Sequence, residues 1–259
     1  MKQEVDKKTA LIVGLGASGL ACAHHLGRRG WKIRAADTRE APAGAQRLGA
    51  EMPDAEIRTG GLPESLLDGV SLVVMSPGLS TRFGAAAPLV ASARARDIEV
   101  VGEIELFARA LADLEARTGY RPVVIGVTGT NGKTTTTTLT YEILRRAGAD
   151  VALGGNIGRS FALSVATERR DWYVIELSSF QLDGCYDFRA DIGVLTNITP
   201  DHLDRYEYRL QNYVDSKFRI LRNQRPQDCF IYCADDPLTL ENLPKHPLSM
   251  RTLPFSVRR

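Results

Sequence analysis

The chain has 259 residues, 44% hydrophobic, 25% charged and 7% aromatic, with 23 Gly and 12 Pro. That balance excludes a disordered, collagen-like or fibrous protein, and at ~150 residues per domain the length suits two domains. Thirty-three Lys and Arg against 31 Asp and Glu leave a formal charge of +2, without the basic footprint of a dedicated nucleic-acid binder. No run approaches the ~20 apolar residues of a membrane span. The start, MKQEVDKK, is charged and lacks the apolar core of a secretory signal. The expectation is a soluble, cytoplasmic, monomeric α/β protein with no membrane or nucleic-acid partner.

The first predicted strand, Ala10–Val13, runs into Gly14-Leu-Gly16-Ala-Ser-Gly19 and a helix over Gly19–Arg28. This is a complete GxGxxG between strand and helix, a tight turn that lets backbone approach a diphosphate at a helix N-terminus. Strand Lys32–Ala36 follows, and Asp37 stands eighteen residues after Gly19, where an acid commonly meets a ribose hydroxyl. Alone, the motif reads as an NAD site, although it specifies a diphosphate-friendly turn rather than a nicotinamide, and a turn without ligand is the plain alternative. Strand Ser71–Met75 and helices Ala87–Arg96 and Glu103–Ala116 complete the first part. The loop Arg117–Pro122 marks one candidate domain cut and Val101 another.

Strand Val123–Thr128 precedes Thr128-Gly-Thr-Asn-Gly-Lys-Thr134 and a helix over Thr134–Ala147. Gly-Lys-Thr at a strand–loop–helix junction is the core of a phosphate loop: amides cradle phosphates, Lys reaches β/γ oxygens, and Thr takes Mg²⁺. Val127 replaces the usual first glycine, with Gly129 inside the loop. Thr134–Thr138 are poor helix formers, so packing must override propensity there. Strand Trp172–Glu176 ends in an acid suited to Mg²⁺. Strand Ile192–Leu195 leads to Asn197-Ile-Thr-Pro-Asp-His202, and Lys217 lies fifteen residues further, in the predicted helix Arg209–Asn223. An isolated His reads as a loop or core residue, and an isolated Lys as a solvated helix face. The last predicted strand is Cys229–Cys233; its two cysteines share a face but lack ligand partners at zinc spacing, so all four cysteines read as core thiols. Adjacent His24 and His25 point apart on a helix and do not form a metal site.

Together these motifs resemble the Mur ligases. The likeness runs through GLGASG, Asp37–Arg39, SPG at Ser76–Gly78, GEIELF at Gly102–Phe107 and TGTNGKTT. It continues in GGNIG at Gly154–Gly158, ELSSFQL at Glu176–Leu182 and TNITPDHLDRY ending at Tyr206. The resemblance implies a Rossmann-like UDP-substrate domain over 1–101 and a phosphate-loop ATP domain over 102–259. It implies the family member that uses ATP to join D-glutamate to UDP-N-acetylmuramoyl-L-alanine through an acyl phosphate. Gly129, Thr130, Asn131, Gly132, Lys133, Thr134 and Thr135 would then hold ATP. Two Mg²⁺ would be served by Thr134 with Glu176 and by His202 with Lys217, the latter as a carbamate. Ala17 and Ser18 would meet the UDP diphosphate, Asp37, Thr38 and Arg39 the uridine end, with Ser76 and Gly78 nearby. Asn156, Ser178 and Gln181 would face the muramoyl portion.

The L-alanine-adding ligase typically carries His where Asn131 stands, and remains an alternative, as does a non-catalytic nucleotide-binding fragment. A nicotinamide oxidoreductase leaves Lys133, Glu176, His202 and Lys217 unexplained. Family members continue through further central strands and a third domain, and Pro247–Arg259 has no helical pattern to replace them. Residues 1–259 alone are therefore expected to hold the UDP substrate, bind ATP weakly and form no amide.

Overall fold

A computed structural model describes residues 8–157, 160 and 168–258, and residues 1–7 of the charged N-terminal stretch and Gly158 of GGNIG lie outside them. The chain divides into two compact units, Met1–Leu106 and Phe107–Arg259.

In the first unit, β1 (Thr9–Val13), β2 (Lys32–Asp37), β3 (Glu56–Thr59), β4 (Val70–Met75) and β5 (Glu99–Gly102) form one sheet in the order β3-β2-β1-β4-β5. All pairings are parallel. The order reverses at β1, so the carboxyl ends of β1 and β4 frame the crevice where open α/β sheets bind ligands. The run from Ala10 to Val13 is fully buried, as a central parallel strand covered on both faces requires. Helices α1 (Ala17–Arg28), α2 (Ala43–Glu51) and α3 (Ala87–Ala95) join the strands. A core of Leu11, Val13, Val73, Met75, Leu89 and Val90 lies between sheet and helices.

Helix α4 (Glu103–Thr118) leads to the second unit, where β6 (Val123–Thr128), β7 (Val151–Gly155), β8 (Trp172–Glu176), β9 (Ile192–Leu195), β10 (Cys229–Cys233) and β11 (Arg251–Phe255) pair in the order β11-β10-β9-β6-β8-β7. These pairings are parallel too. Its helices are α5 (Lys133–Arg146), α6 (Ser179–Asp183), α7 (Leu210–Phe218) and α8 (Pro237–Asn242). Among the described residues no helix is long and apolar enough to cross a membrane.

The expected helix over Arg209–Asn223 is shorter than its pattern. It ends as α7 at Phe218, and a 3-10 turn over Arg219–Leu221 takes its place. The tail from Pro247, which showed no helical pattern, contains β11. Pro254 stands in that strand, and an edge position paired only to β10 tolerates a residue without N–H. The threonine run does open a helix: Thr137 and Thr140 donate their hydroxyls to the carbonyls of Lys133 and Thr136, four residues back. All four cysteines are free, and the paired histidines diverge, His24 meeting Glu51 at 2.7 Å while His25 is buried.

Candidate functional site

In the second unit the phosphate loop follows β6. Gly129 has φ +145°, and a Cβ there would collide with Thr196 Oγ1, so only glycine lets the loop lie against the end of β9. Asn197 clamps the loop at one residue. Its Oδ1 accepts from the Asn131 amide at 3.0 Å, and its Nδ2 donates to the Asn131 carbonyl at 3.0 Å. Thr196 donates to the same carbonyl at 2.7 Å. Helix α5 then starts at Lys133 behind Gly132, with no side-chain cap. Its first-turn amides at Lys133, Thr134 and Thr135 are left for an external acceptor, with the positive end of the helix dipole behind them.

Five expected site residues meet here in two groups. Thr134 Oγ1 donates to Glu176 Oε2 at 2.7 Å, and Asn156 Nδ2 donates to Glu176 Oε1 at 2.8 Å. Glu176 is 1% exposed at the end of β8, and the Asn156 amide also donates to its carbonyl at 2.9 Å. The second group comprises the lysines. Lys133 Nζ donates to the Thr130 carbonyl at 2.8 Å, and Lys217 Nζ to the Gly129 carbonyl at 2.7 Å. Lys217 is 1% exposed, contrary to the solvated helix face its isolated sequence position suggests. Burial first, and the Lys133 charge second, pull its amine down to about 7, against an opposing effect of Asp201.

His202 stands apart from both groups. Its imidazole lies 3.4 Å from Asp201 at Nε2 and 5.3 Å from the Phe180 ring, and the residue adopts a left-handed φ of +50°. Ser178 and Gln181 cap α6 reciprocally: the Gln181 amide donates to Ser178 Oγ at 3.2 Å, and the Ser178 amide to Gln181 Oε1 at 3.0 Å. Thr135 is exposed on the first turn of α5. Thr196, Asn197 and Thr199 lie in the TNITPDH stretch with no role that sequence assigns them, and Tyr213 lies in no motif, yet all four bond the phosphate loop. The available signal is the Thr-Asn pair just past the end of β9, the strand next to the one that carries the phosphate loop.

In the first unit the Gly-rich turn joins β1 to α1. A Cβ on Gly19 would collide with the Gly14 carbonyl oxygen, so the third glycine lets α1 pack on its own turn. Gly16 differs: its backbone is extended, and beyond its two chain neighbours nothing lies within 4 Å of the Cβ it lacks. Gly16 is also the N-cap of α1 and supplies no side-chain cap. Ala17 is exposed and Ser18 half-buried beside it. Ser76, at the end of β4, donates to the Gly14 carbonyl at 2.9 Å. Gly78 is exposed and Thr38 half-buried.

Asp37 does not present a vacant carboxylate. Its Oδ2 accepts from the Leu15 amide at 2.8 Å, and both oxygens receive the Arg39 guanidinium, at 2.9 and 2.7 Å. That Arg39 hydrogen bond, ahead of the backbone donors, holds the buried carboxyl well below the usual carboxylate range. A depressed folded value contributes stability above the ordinary 3.8, and this is lost as pH falls below it. Arg39 is 62% exposed, so solvent screens much of its charge, and the buried Leu15 bond is the durable part. Asp37→Ala should cost about 1–3 kcal/mol at pH 7 by stranding the Leu15 amide. Urea melts at pH 7 and pH 3 check this: the gap between variant and parent should narrow in acid.

The Mur ligase middle domain matches residues 127–257, half of the chain. The chain belongs to the Mur ligase family. The N-terminal domain of the MurD-like Mur ligases matches residues 8–102. The UDP-N-acetylmuramoylalanine–D-glutamate ligase of Cupriavidus pinatubonensis is 48% identical over 243 residues, covering 92% of this chain and 48% of that protein. The enzyme of the same name from Porphyromonas gingivalis is 41% identical over 253 residues, covering 97% and 53%. The chain thus spans about half the length of these curated Mur ligase relatives. Among solved structures, a UDP-N-acetylmuramate:L-alanyl-gamma-D-glutamyl-meso-diaminopimelate ligase from Neisseria meningitides superposes with a TM-score of 0.60 at 18% identity, covering 96% of this chain and 78% of that one. That likeness is one of fold.

Proposed function

We propose that this chain carries the UDP-substrate and ATP sites of a ligase that joins D-glutamate to UDP-N-acetylmuramoyl-L-alanine, within a division of 1–101 and 102–259. The observation that carries the reading is the pairing of Thr134 with Glu176 at the mouth of an uncapped helix, beside two lysines. The names and identities of the curated relatives support the choice of substrates. A cytoplasmic, monomeric enzyme fits the same reading.

The substrate carboxylate attacks the γ-phosphorus of ATP, ADP leaves, and an acyl phosphate forms. The D-glutamate amine then attacks the acyl carbon, and phosphate departs with a proton lost from nitrogen. Lys133 exchanges the Thr130 carbonyl for β/γ-phosphate oxygens, and the α5 amides hold the same phosphates. The loop from Gly129 to Thr135 encloses them. The donor set suits Mg²⁺: a hydroxyl and a carboxylate side by side leave the remaining positions to water and phosphate oxygen. When bound, Mg²⁺ offsets negative charge as two anions approach. Thr134 and Glu176 would hold one ion, and His202 with Lys217 the second. For Lys217 this requires the neutral amine to add CO₂ and release a proton; an amine that titrates near 7 supplies that form at neutral pH. Asn156 orients Glu176 while lying toward the muramoyl portion, with Ser178 and Gln181.

At the other site, Ala17, Ser18 and Gly16 offer backbone to the diphosphate. Asp37, Thr38 and Arg39 lie at the uridine end, Asp37 also holding the turn at Leu15, with Ser76 and Gly78 beside them. Calorimetric titration with UDP-N-acetylmuramoyl-L-alanine and with NAD tests this site. Binding of the first and not the second is expected, and tighter NAD binding would sink the reading.

A further inference from the structure

Tyr213 lies on α7, one turn before Lys217, and is 1% exposed. Its hydroxyl is 3.1 Å from Thr130 Oγ1 in the phosphate loop, and the Lys217 Nζ sits over its ring, 4.5 Å from the centroid. Either hydroxyl can be the donor in the first contact. Thr130 Oγ1 also donates toward the Thr199 carbonyl at 3.1 Å and accepts from the Thr199 amide at 3.0 Å, so Tyr213 joins an already bonded hydroxyl. The ring is fixed from behind by Tyr206, edge-on at 5.3 Å, which is itself stacked on Phe180 and donates its hydroxyl to Asp183 at 3.1 Å. One buried side chain therefore touches the loop through its oxygen and the lysine through its face.

We infer that Tyr213 is a positioning residue for the nucleotide: its hydroxyl holds the loop at Thr130, and its ring holds Lys217 toward Gly129. The assignment rests on the nucleotide reading above. The loop gains from such a tether because Thr130 and Asn131 otherwise lean on residues 196–199, themselves a connection past the end of β9, and on the Lys133 amine that the nucleotide reading gives to phosphate. A loop held at both ends of Thr130 presents its amides without first having to order.

The test is a double-mutant cycle read by calorimetric titration of MgADP. Tyr213→Phe keeps the ring and removes the hydroxyl; Thr130→Val removes the group it bonds. Loss of one such bond should weaken MgADP binding about 3- to 10-fold in Tyr213→Phe. The same change in the Thr130→Val background should have little effect, a coupling that packing alone would not produce. The melting temperature of Tyr213→Phe should stay close to the parent's, because the ring and its contacts with Tyr206 and Lys217 persist. Unchanged MgADP affinity in Tyr213→Phe, or additive effects in the cycle, overturns the assignment alone. Absence of MgADP binding by the unaltered chain overturns the nucleotide reading and this assignment together.

Discussion

Lys217→Ala is expected to reduce amide formation by the complete gene product about 100-fold or more, the scale on which removal of one charge-stabilising group acts. Lys217 is buried and bonded to the Gly129 carbonyl, and burial with the Lys133 charge pulls its amine down to about 7, which favours the neutral form far more than in a solvated lysine. A buried lysine with a neutral amine is poor at binding phosphate by charge and well suited to carbamylation. Alanine leaves a space the size of the lost side chain, so added acetate or formate should restore part of the rate by supplying a carboxylate there. Rescue separates a carboxylate-like role from simple packing, which a small acid would not repair. Full activity in the variant would make Lys217 an ordinary structural residue.

Gly19→Ala and Gly16→Ala should have opposite signatures. At Gly19 the new Cβ would collide with the Gly14 carbonyl, a backbone atom that cannot move without opening the turn. Overpacking of this kind should destabilise the fold by about 3 kcal/mol, visible as a lowered denaturant midpoint. At Gly16 nothing in the protein resists a methyl group, and the backbone needs no glycine. The melt should therefore be unchanged. Binding of UDP-N-acetylmuramoyl-L-alanine should fall about 10-fold, a loss near 1.4 kcal/mol, because the methyl would occupy the space in which a diphosphate meets the α1 amides. Unaltered binding in Gly16→Ala would remove the diphosphate from this turn.

The strands read from the sequence are β1, β2, β4, β6, β8, β9 and β10, most of them carrying strings of buried β-branched or apolar residues between turn signals. The unread ones are β3, β5, β7 and β11, and all four lie at sheet edges. An edge strand has less apolar surface to bury. Glu56-Ile-Arg-Thr59 is mostly polar, Gly154 and Gly155 close β7, and Pro254 interrupts β11. Helix α2 was missed because Gly44 and Gly49 dilute its period, leaving Leu48 as its buried apolar side chain.

The site was legible where one motif supplies neighbouring parts, as Lys133 and Thr134 do. Glu176 was also legible, because strand-end acids converge on that loop. The contacts that shape the loop were not. Asn197 and Tyr213 reach it across 66 and 83 residues of sequence, distances over which periodicity carries no information. Asp37 shows both. Its position at the end of β2 suggests a ribose contact, and periodicity gives no sign of the bonds its carboxylate makes to Leu15 and Arg39.

The most direct test of the proposed activity is phosphate release by the complete gene product with ATP, Mg²⁺ and UDP-N-acetylmuramoyl-L-alanine, across a panel of amino acids. Release that depends on D-glutamate, with a product whose mass has gained one glutamate residue, is the expected result. Release that depends instead on L-alanine with the unsubstituted UDP-muramate, or none with any amino acid, would contradict it.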